Sequence, residues 1–288
     1  MGTTIVVTDT DCSLPAELGA RHQIIQVPIN IHFGQQTLRT GIDIDDSGLF
    51  ARVARDGRLP TTSSPSPGQF VEAFGLAFDG GADAVVCLCV SSEVSASYNA
   101  ALTARDMLPE RNITVVDTRT LTMAQGFMAL AAAEAAEAGA DPPEIVNSAL
   151  AIRDRSYVFA ALATLKYLAM SGRVGHLTAG MATLLDVKPV LSVKDGKLEM
   201  LERVRSRAKA WQRVIELTKS VAAARAIDRL AIIHVNVAEQ VPEFEAQLRA
   251  NLAFSEEIVV AEFTPGLSVH GGAGVMGVVA VVGRPTSP

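Results

Sequence analysis

Hydroxyl side chains gather in short runs of this chain, and several short donors at a helix start are what a carboxylate ligand needs. The clearest runs are Thr62-Ser63-Ser64-Pro65-Ser66 and Ser91-Ser92-Glu93-Val94-Ser95. Ser and Thr donate to an anion without bringing a competing charge. Free backbone N–H groups at a helix N-terminus favour the same anion. Thr62, Ser63, Ser92 and Ser95 are therefore candidate ligand-binding residues. The same side chains also suit helix capping, with Ser64 or Ser66 before Pro67 and Ser95 before a later helix, and one loop can hold both roles.

A second candidate is His270, followed by Gly271-Gly272-Ala273-Gly274. An imidazole donates to an oxyanion, and glycines such as Gly272 let backbone approach a ligand closely. Gly272 to Gly277 spells G-x-G-x-x-G, but the dinucleotide fingerprint opens a βαβ unit and has an acidic residue about 20 positions on. Here the sequence given stops at Pro288, so that reading is rejected. Arg173, Arg205 and Arg207 form a third group, suited to a phosphate or an acidic partner surface.

No P-loop, H-E-x-x-H or G-x-S-x-G pattern occurs, and the five histidines are dispersed without metal-ligand spacing. The sequence thus nominates neither a metal site nor catalytic machinery, and no cofactor is expected. The alternative enzyme chemistry is a small-molecule acyl transferase or hydrolase with His270 as general base beside Ser95 or Asp117.

A net charge of −6 and a pI near 5.4 argue against a nucleic-acid partner. Hydrophobic residues make up 49% of the chain and aromatics only 5%, so its apolar surface is mainly aliphatic. That composition suits helices packed closely on a sheet, and equally an aliphatic cavity. Cys12, Cys87 and Cys89 read as reduced core thiols. The start lacks a secretory signal and no apolar run reaches the roughly 20 residues of a bilayer span, so a cytoplasmic protein is expected.

The elements that must hold these residues follow a strand, helix, strand rhythm. Ile5 to Thr8, Ile25 to Ile31, Ala84 to Val90 and Ile113 to Val116 are near-continuous apolar runs, the pattern of a parallel sheet covered on both faces. Pro67 to Phe78, Ser95 to Leu108 and Leu121 to Gly139 read as the helices between and after them. The fold class expected is α/β, with an N-terminal parallel-sheet domain over residues 1–155 and a C-terminal α+β domain over 156–288. In the second half, Lys194-Asp195-Gly196 marks a hairpin. The last apolar strand, Val275 to Val282, is a candidate to return to the first sheet.

Taken in order, these segments resemble the DegV family of bacterial fatty-acid-binding proteins. Asp9-Thr10 matches the family's start, Thr62 to Ser66 its TSxPS loop and Ser91 to Tyr98 its SSxLSGTY segment. Leu168 to Arg173 matches its LxxGGR turn, Leu184 to Pro189 its LLxIKP strand, Arg205-Ser206 its arginine-bearing turn and His270 to Gly274 its HxGPG loop. The chain departs from the pattern at Ser171, Ala96 and Ala273, which stand for Gly, Gly and Pro. The resemblance implies one long-chain fatty acid held between two domains, its carboxylate on Thr62, Ser63, Ser92 or Ser95 and near His270. It also implies a non-catalytic role as binding subunit of a two-component fatty-acid kinase, in which a separate ATP-using protein phosphorylates the acyl carboxylate. Arg205, and with it Arg173, is then a partner-binding residue. A lipid-responsive regulator without a kinase is the alternative.

Overall fold

The computed structural model describes residues 2–173, 187–223 and 225–284. Strand β1 (Thr4–Asp9) leads through a 3-10 turn (Thr10–Cys12) to α1 (Ala16–Arg21) and β2 (Ile25–Val27). Then come β3 (Asn30–Phe33), β4 (Gln36–Arg39), α2 (Asp46–Asp56), β5 (Thr61–Ser63), α3 (Pro67–Asp79), β6 (Ala84–Cys89), α4 (Ser97–Asp106) and β7 (Asn112–Asp117). Two helices, α5 (Thr122–Glu137) and α6 (Pro142–Arg153), connect to β8 (Ser156–Ala161) and α7 (Lys166–Ser171). The rest is β9 (Lys188–Lys194), β10 (Lys197–Val204), α8 (Arg207–Ala222), β11 (Ile227–His234), α9 (Val241–Asn251), β12 (Val259–Glu262), α10 (Pro265–Gly271) and β13 (Met276–Val282).

The first sheet has the order β2-β1-β6-β7 and is parallel throughout. All six residues of β6 are buried, because both faces of that strand are covered. On one face Phe70, Phe74, Ala101 and Ala104 of α3 and α4 pack on Val7, Val85, Cys87 and Cys89. The other face, carrying Val6, Val86 and Leu88, packs on α5.

Helix α5 also reaches the second sheet, whose order is β10-β9-β8-β13-β11-β12. Every residue from Thr122 to Ala133 is buried. A helix enclosed on all sides has no polar stripe, and its alanines let two sheets close on it. The far face of the second sheet is covered by α8 and α9 through Trp211, Val214 and Phe244. The order of layers is therefore helices, parallel sheet, helix α5, mixed sheet, helices.

Two expectations are corrected. The run Ile25 to Ile31 is two strands, since Pro28, which lacks an N–H, interrupts it. β2 stays in the parallel sheet, while β3 joins β4 and β5 in a separate three-stranded sheet. The last strand does not return to the first sheet: β13 lies antiparallel between β8 and β11. All seven of its residues are buried, and α5 stands between it and the first sheet.

Candidate head-group and tail site

Three loops leave the carboxyl ends of β1, β6 and β7 at the point where the order of the parallel sheet changes direction, the usual place for a ligand in such sheets. Asp9 anchors this edge. It accepts hydrogen bonds from the Val90 backbone N–H at 2.8 Å, from Gln125 Nε2 at 3.1 Å and from the Asp11 N–H at 3.2 Å. One carboxylate thus ties the ends of β1 and β6 to α5. Burial nevertheless pushes the Asp9 carboxyl up to about 6.

Against this edge packs α10, held by the Thr264 hydroxyl donating to the Thr10 carbonyl at 2.9 Å and by the Ser268 hydroxyl donating to Asp46 Oδ2 at 2.8 Å. The helix carries His270 to within 2.8 Å of Thr62, Nε2 to Oγ1. This contact joins residues 208 apart in sequence. His270 Nδ1 is buried and has no hydrogen-bond partner among the described residues. Burial, with Arg173 adding repulsion, lowers the imidazole to about 4, so the ring is neutral at neutral pH.

Thr62, Ser63, Ser95, His270, Arg173 and Asp11 all line one cavity of about 200 Å³. A second cavity of about 70 Å³ adjoins it and shares Leu121, Leu168, Leu198, Leu267 and His270 with the first. Its other walls are almost wholly aliphatic or aromatic, from Val158 and Ala160 on β8 to Ile233, Phe263 and Val275. The hairpin of β9 and β10 closes the side: Ser91 Oγ donates to the Gly196 carbonyl at 2.8 Å, and Leu198 reaches both cavities. The arrangement is a polar chamber adjoining an apolar arm, the pairing of surfaces that suits an amphiphile.

The sequence candidates divide. Thr62, Ser63, Ser95 and His270 come together at the polar chamber, with Ser63 Oγ also 2.9 Å from His32 Nε2. Ser92 does not line it, because its hydroxyl donates to Asp117 Oδ2 and its N–H to Asp117 Oδ1. Gly272 does not line it either; it sits past the end of α10 with its Cα against the Tyr167 ring. Arg173, read beforehand as a partner residue, lines the chamber, whereas Arg205 is exposed before α8. Ser66 is a cap: it and Gln69 form a reciprocal capping box at α3. Neither pairing of the acyl-transferase alternative forms, since Ser95 bonds Ser97 and Asp117 bonds Ser92. Ala96 has φ −85°, so the residue in the family's glycine position carries no left-handed strain. The Leu184 to Asp186 part of the family strand lies outside the described residues.

Asp11 and the apolar walls were not singled out as site residues. The first was visible only as part of a polar run after a strand, and the second cannot be told from core by residue type.

The family model described as uncharacterised protein, DegV family, matches residues 3–283. The chain belongs to the DegV family. A DegV domain-containing protein of Streptomyces coelicolor is 35% identical over 274 residues, spanning 95% of this chain and 96% of that protein. Among solved structures, a DegV family protein from Thermus thermophilus reported for its fatty acid binding superposes with a TM-score of 0.89 at 30% identity, over 97% of this chain and 99% of that one. DegV from Bacillus subtilis, a fatty acid binding protein, gives 0.88 at 29% identity, over 98% and 100%. The mixed α/β architecture of this chain is that of those DegV structures. No helix among the described residues is long and apolar enough to cross a membrane.

Proposed function

We propose that this DegV protein carries one long-chain fatty acid, carboxylate in the polar chamber and acyl tail in the apolar arm. The observation that supports this most is the adjoining of a hydroxyl-lined chamber and an aliphatic arm at His270. Each buried methylene contributes about 0.8 kcal/mol, so a long tail prefers that arm to water. The neutral imidazole suits the head group. With its proton on Nε2 it donates to Thr62 Oγ1, leaving the Thr62 O–H free to donate to the carboxylate. Ser63 and Ser95 supply further hydroxyls, and Arg173 supplies the cation at the chamber.

Native mass spectrometry of the purified protein tests this reading. The expected adduct resolves, on denaturation and lipid extraction, into one fatty acid per chain. Thr62→Val with His270→Ala is expected to weaken palmitate binding by about tenfold or more, the worth of one hydrogen bond to a charged group. A protein that stays bare after incubation with palmitate and oleate rules the reading out.

The carrier is non-catalytic and cytoplasmic in this proposal, and presents its acid to a separate ATP-dependent fatty-acid kinase. Arg205 is the group on which docking turns. It is exposed at the entry to α8, whereas the neighbouring Arg207 is occupied, its guanidinium 5.0 Å over the Trp211 ring and bonded to Gln240. Arg205→Glu is expected to slow capture by the kinase with palmitate affinity unchanged. Equal loss of both in a binding and phosphorylation assay makes Arg205 a structural residue instead.

A further inference from the structure

Among the described residues, the polar chamber contains one carboxyl that the fatty-acid reading leaves unused. Asp11 lies in the 3-10 turn after β1, is 7% exposed, and its Oδ1 has no hydrogen-bond partner among the described residues. Its turn is clamped from two sides, by the Ile29 N–H donating to Thr10 Oγ1 at 3.0 Å and by the Thr264 bond to the Thr10 carbonyl. α10 leaves it room through Gly266, where a Cβ would come within 2.6 Å of Asp11 Oδ1. A carboxyl with one oxygen unpartnered among the described residues therefore lines the chamber in which Thr62 and His270 meet.

The charges around it decide its state. Asp9 and Cys12 belong to the same turn, His270 faces the chamber from α10, and Arg173 stands across it. His270 is neutral and the Cys12 thiol is held protonated by burial, so the local balance is two carboxyls against one guanidinium. Burial, then the charge of Asp9, push the Asp11 carboxyl well above the usual range, and Arg173 only partly opposes them. A lipid carboxylate adds a third negative group, and like charges this close cannot all be ionised without a proton between two of them.

We infer that Asp11 is a head-group residue that keeps its proton and donates a hydrogen bond through it to the bound lipid carboxylate. The inference rests on the fatty-acid reading above. No covalent bond is made or broken in this pairing, and the proton stays on Asp11. It gives the chamber a donor that an ionised aspartate lacks, and it makes lipid binding depend on Asp11 staying protonated. Below the pH at which Asp11 ionises in the empty protein, affinity is flat. Above it, binding must take up a proton, and affinity falls by up to about tenfold per pH unit.

Palmitate binding by delipidated wild-type protein and Asp11→Asn, measured from about pH 6 to about pH 9.5, reads this directly. Asn keeps an N–H donor and does not titrate, so the expected result is an alkaline fall in the wild type and a flat profile in the variant. Coincident profiles with intact binding overturn the inference and leave the fatty-acid reading standing. No palmitate bound by either protein at any pH overturns that reading and this one with it. Infrared difference spectra of the wild type alone serve should the variant fail to fold, using palmitate with heavy carbon in its carboxyl group. A protonated-carboxyl band that moves on loading and is unaffected by the label places the proton on the protein. A band that shifts with the label places it on the lipid and overturns the assignment.

Discussion

Ala160→Phe is expected to cost this protein its longest acyl chains while leaving shorter ones bound. Residues of β8 alternate between two environments. Val158, Ala160 and Leu162 face the apolar arm, and Phe159 and Ala161 face α8. Ala160 pairs across the sheet with Gly277 on one side and Leu191 on the other, and it is the smallest side chain that β8 presents to the arm. A phenyl group projecting from here fills space now open to the tail. Displacing about four methylenes forfeits about 3 kcal/mol, or roughly two orders of magnitude in affinity. The measurement is a series of saturated acids from octanoate to stearate, with melting temperature followed in parallel. Palmitate and stearate are expected to weaken about a hundredfold, and octanoate to change little. Ala161→Phe is the control, because it overpacks the α8 face and lowers stability by about 1–3 kcal/mol without altering chain preference. Palmitate affinity unchanged in Ala160→Phe would mean that the tail leaves the chamber by another way. The candidate is the cleft lined by Leu59, Pro60, Tyr167 and Met170, which also meets Thr62, His270 and Arg173.

The parallel sheet was legible in the sequence because β1 and β6 are buried on both faces and read as unbroken apolar runs, and the edge strand β7, mostly half-buried, keeps an apolar run too. That same property hid the place of β13. A strand buried on both faces shows the same run in either sheet, and only its partners, β8 and β11, decide which one. β4 and β5, four and three residues long, are too short and too polar for periodicity to find. Helix α5 was visible as an alanine-rich helix, but its place between two sheets follows from contacts at long range. In the site, the hydroxyl donors and His270 stood out because short polar runs after apolar strands serve either as helix caps or as donors to an anion, and Ser66 proved to be a cap. The distinction between Ser95 at the chamber and Ser92 turned onto Asp117 depends on the course of one loop. Arg173 carries the chemistry of an anion-seeking cation, and its place at the chamber was not legible because sequence gives no direction to a side chain in a turn.

Gly272→Ala is the substitution expected to damage the folded state most for its size, since one methyl group meets two obstacles. The first is backbone. Gly272 has φ 75° and ψ 163°, a region in which essentially only glycine is found, and a side chain there costs about 1–3 kcal/mol. The second is steric, because the added Cβ would stand 2.1 Å from Tyr167 Cδ2. Tyr167 must therefore swing away, and it belongs to α7, whose next residue, Leu168, lines both cavities. The strained residue also ends α10, through its N–H bond to the Ser268 carbonyl at 2.8 Å, two positions after His270. Relaxing either obstacle moves the imidazole relative to Thr62 or opens the tail arm. A fall in melting temperature on the order of 5 to 10 °C is expected, with weaker palmitate binding. The double variant Gly272→Ala with Tyr167→Ala separates the causes, since the two residues touch and their effects will not add. Relative to Tyr167→Ala alone, the added methyl is then expected to cost only the backbone share of about 1–3 kcal/mol. If it costs as much as in the parent protein, the ring is not an obstacle, and φ alone explains why glycine stands at this turn.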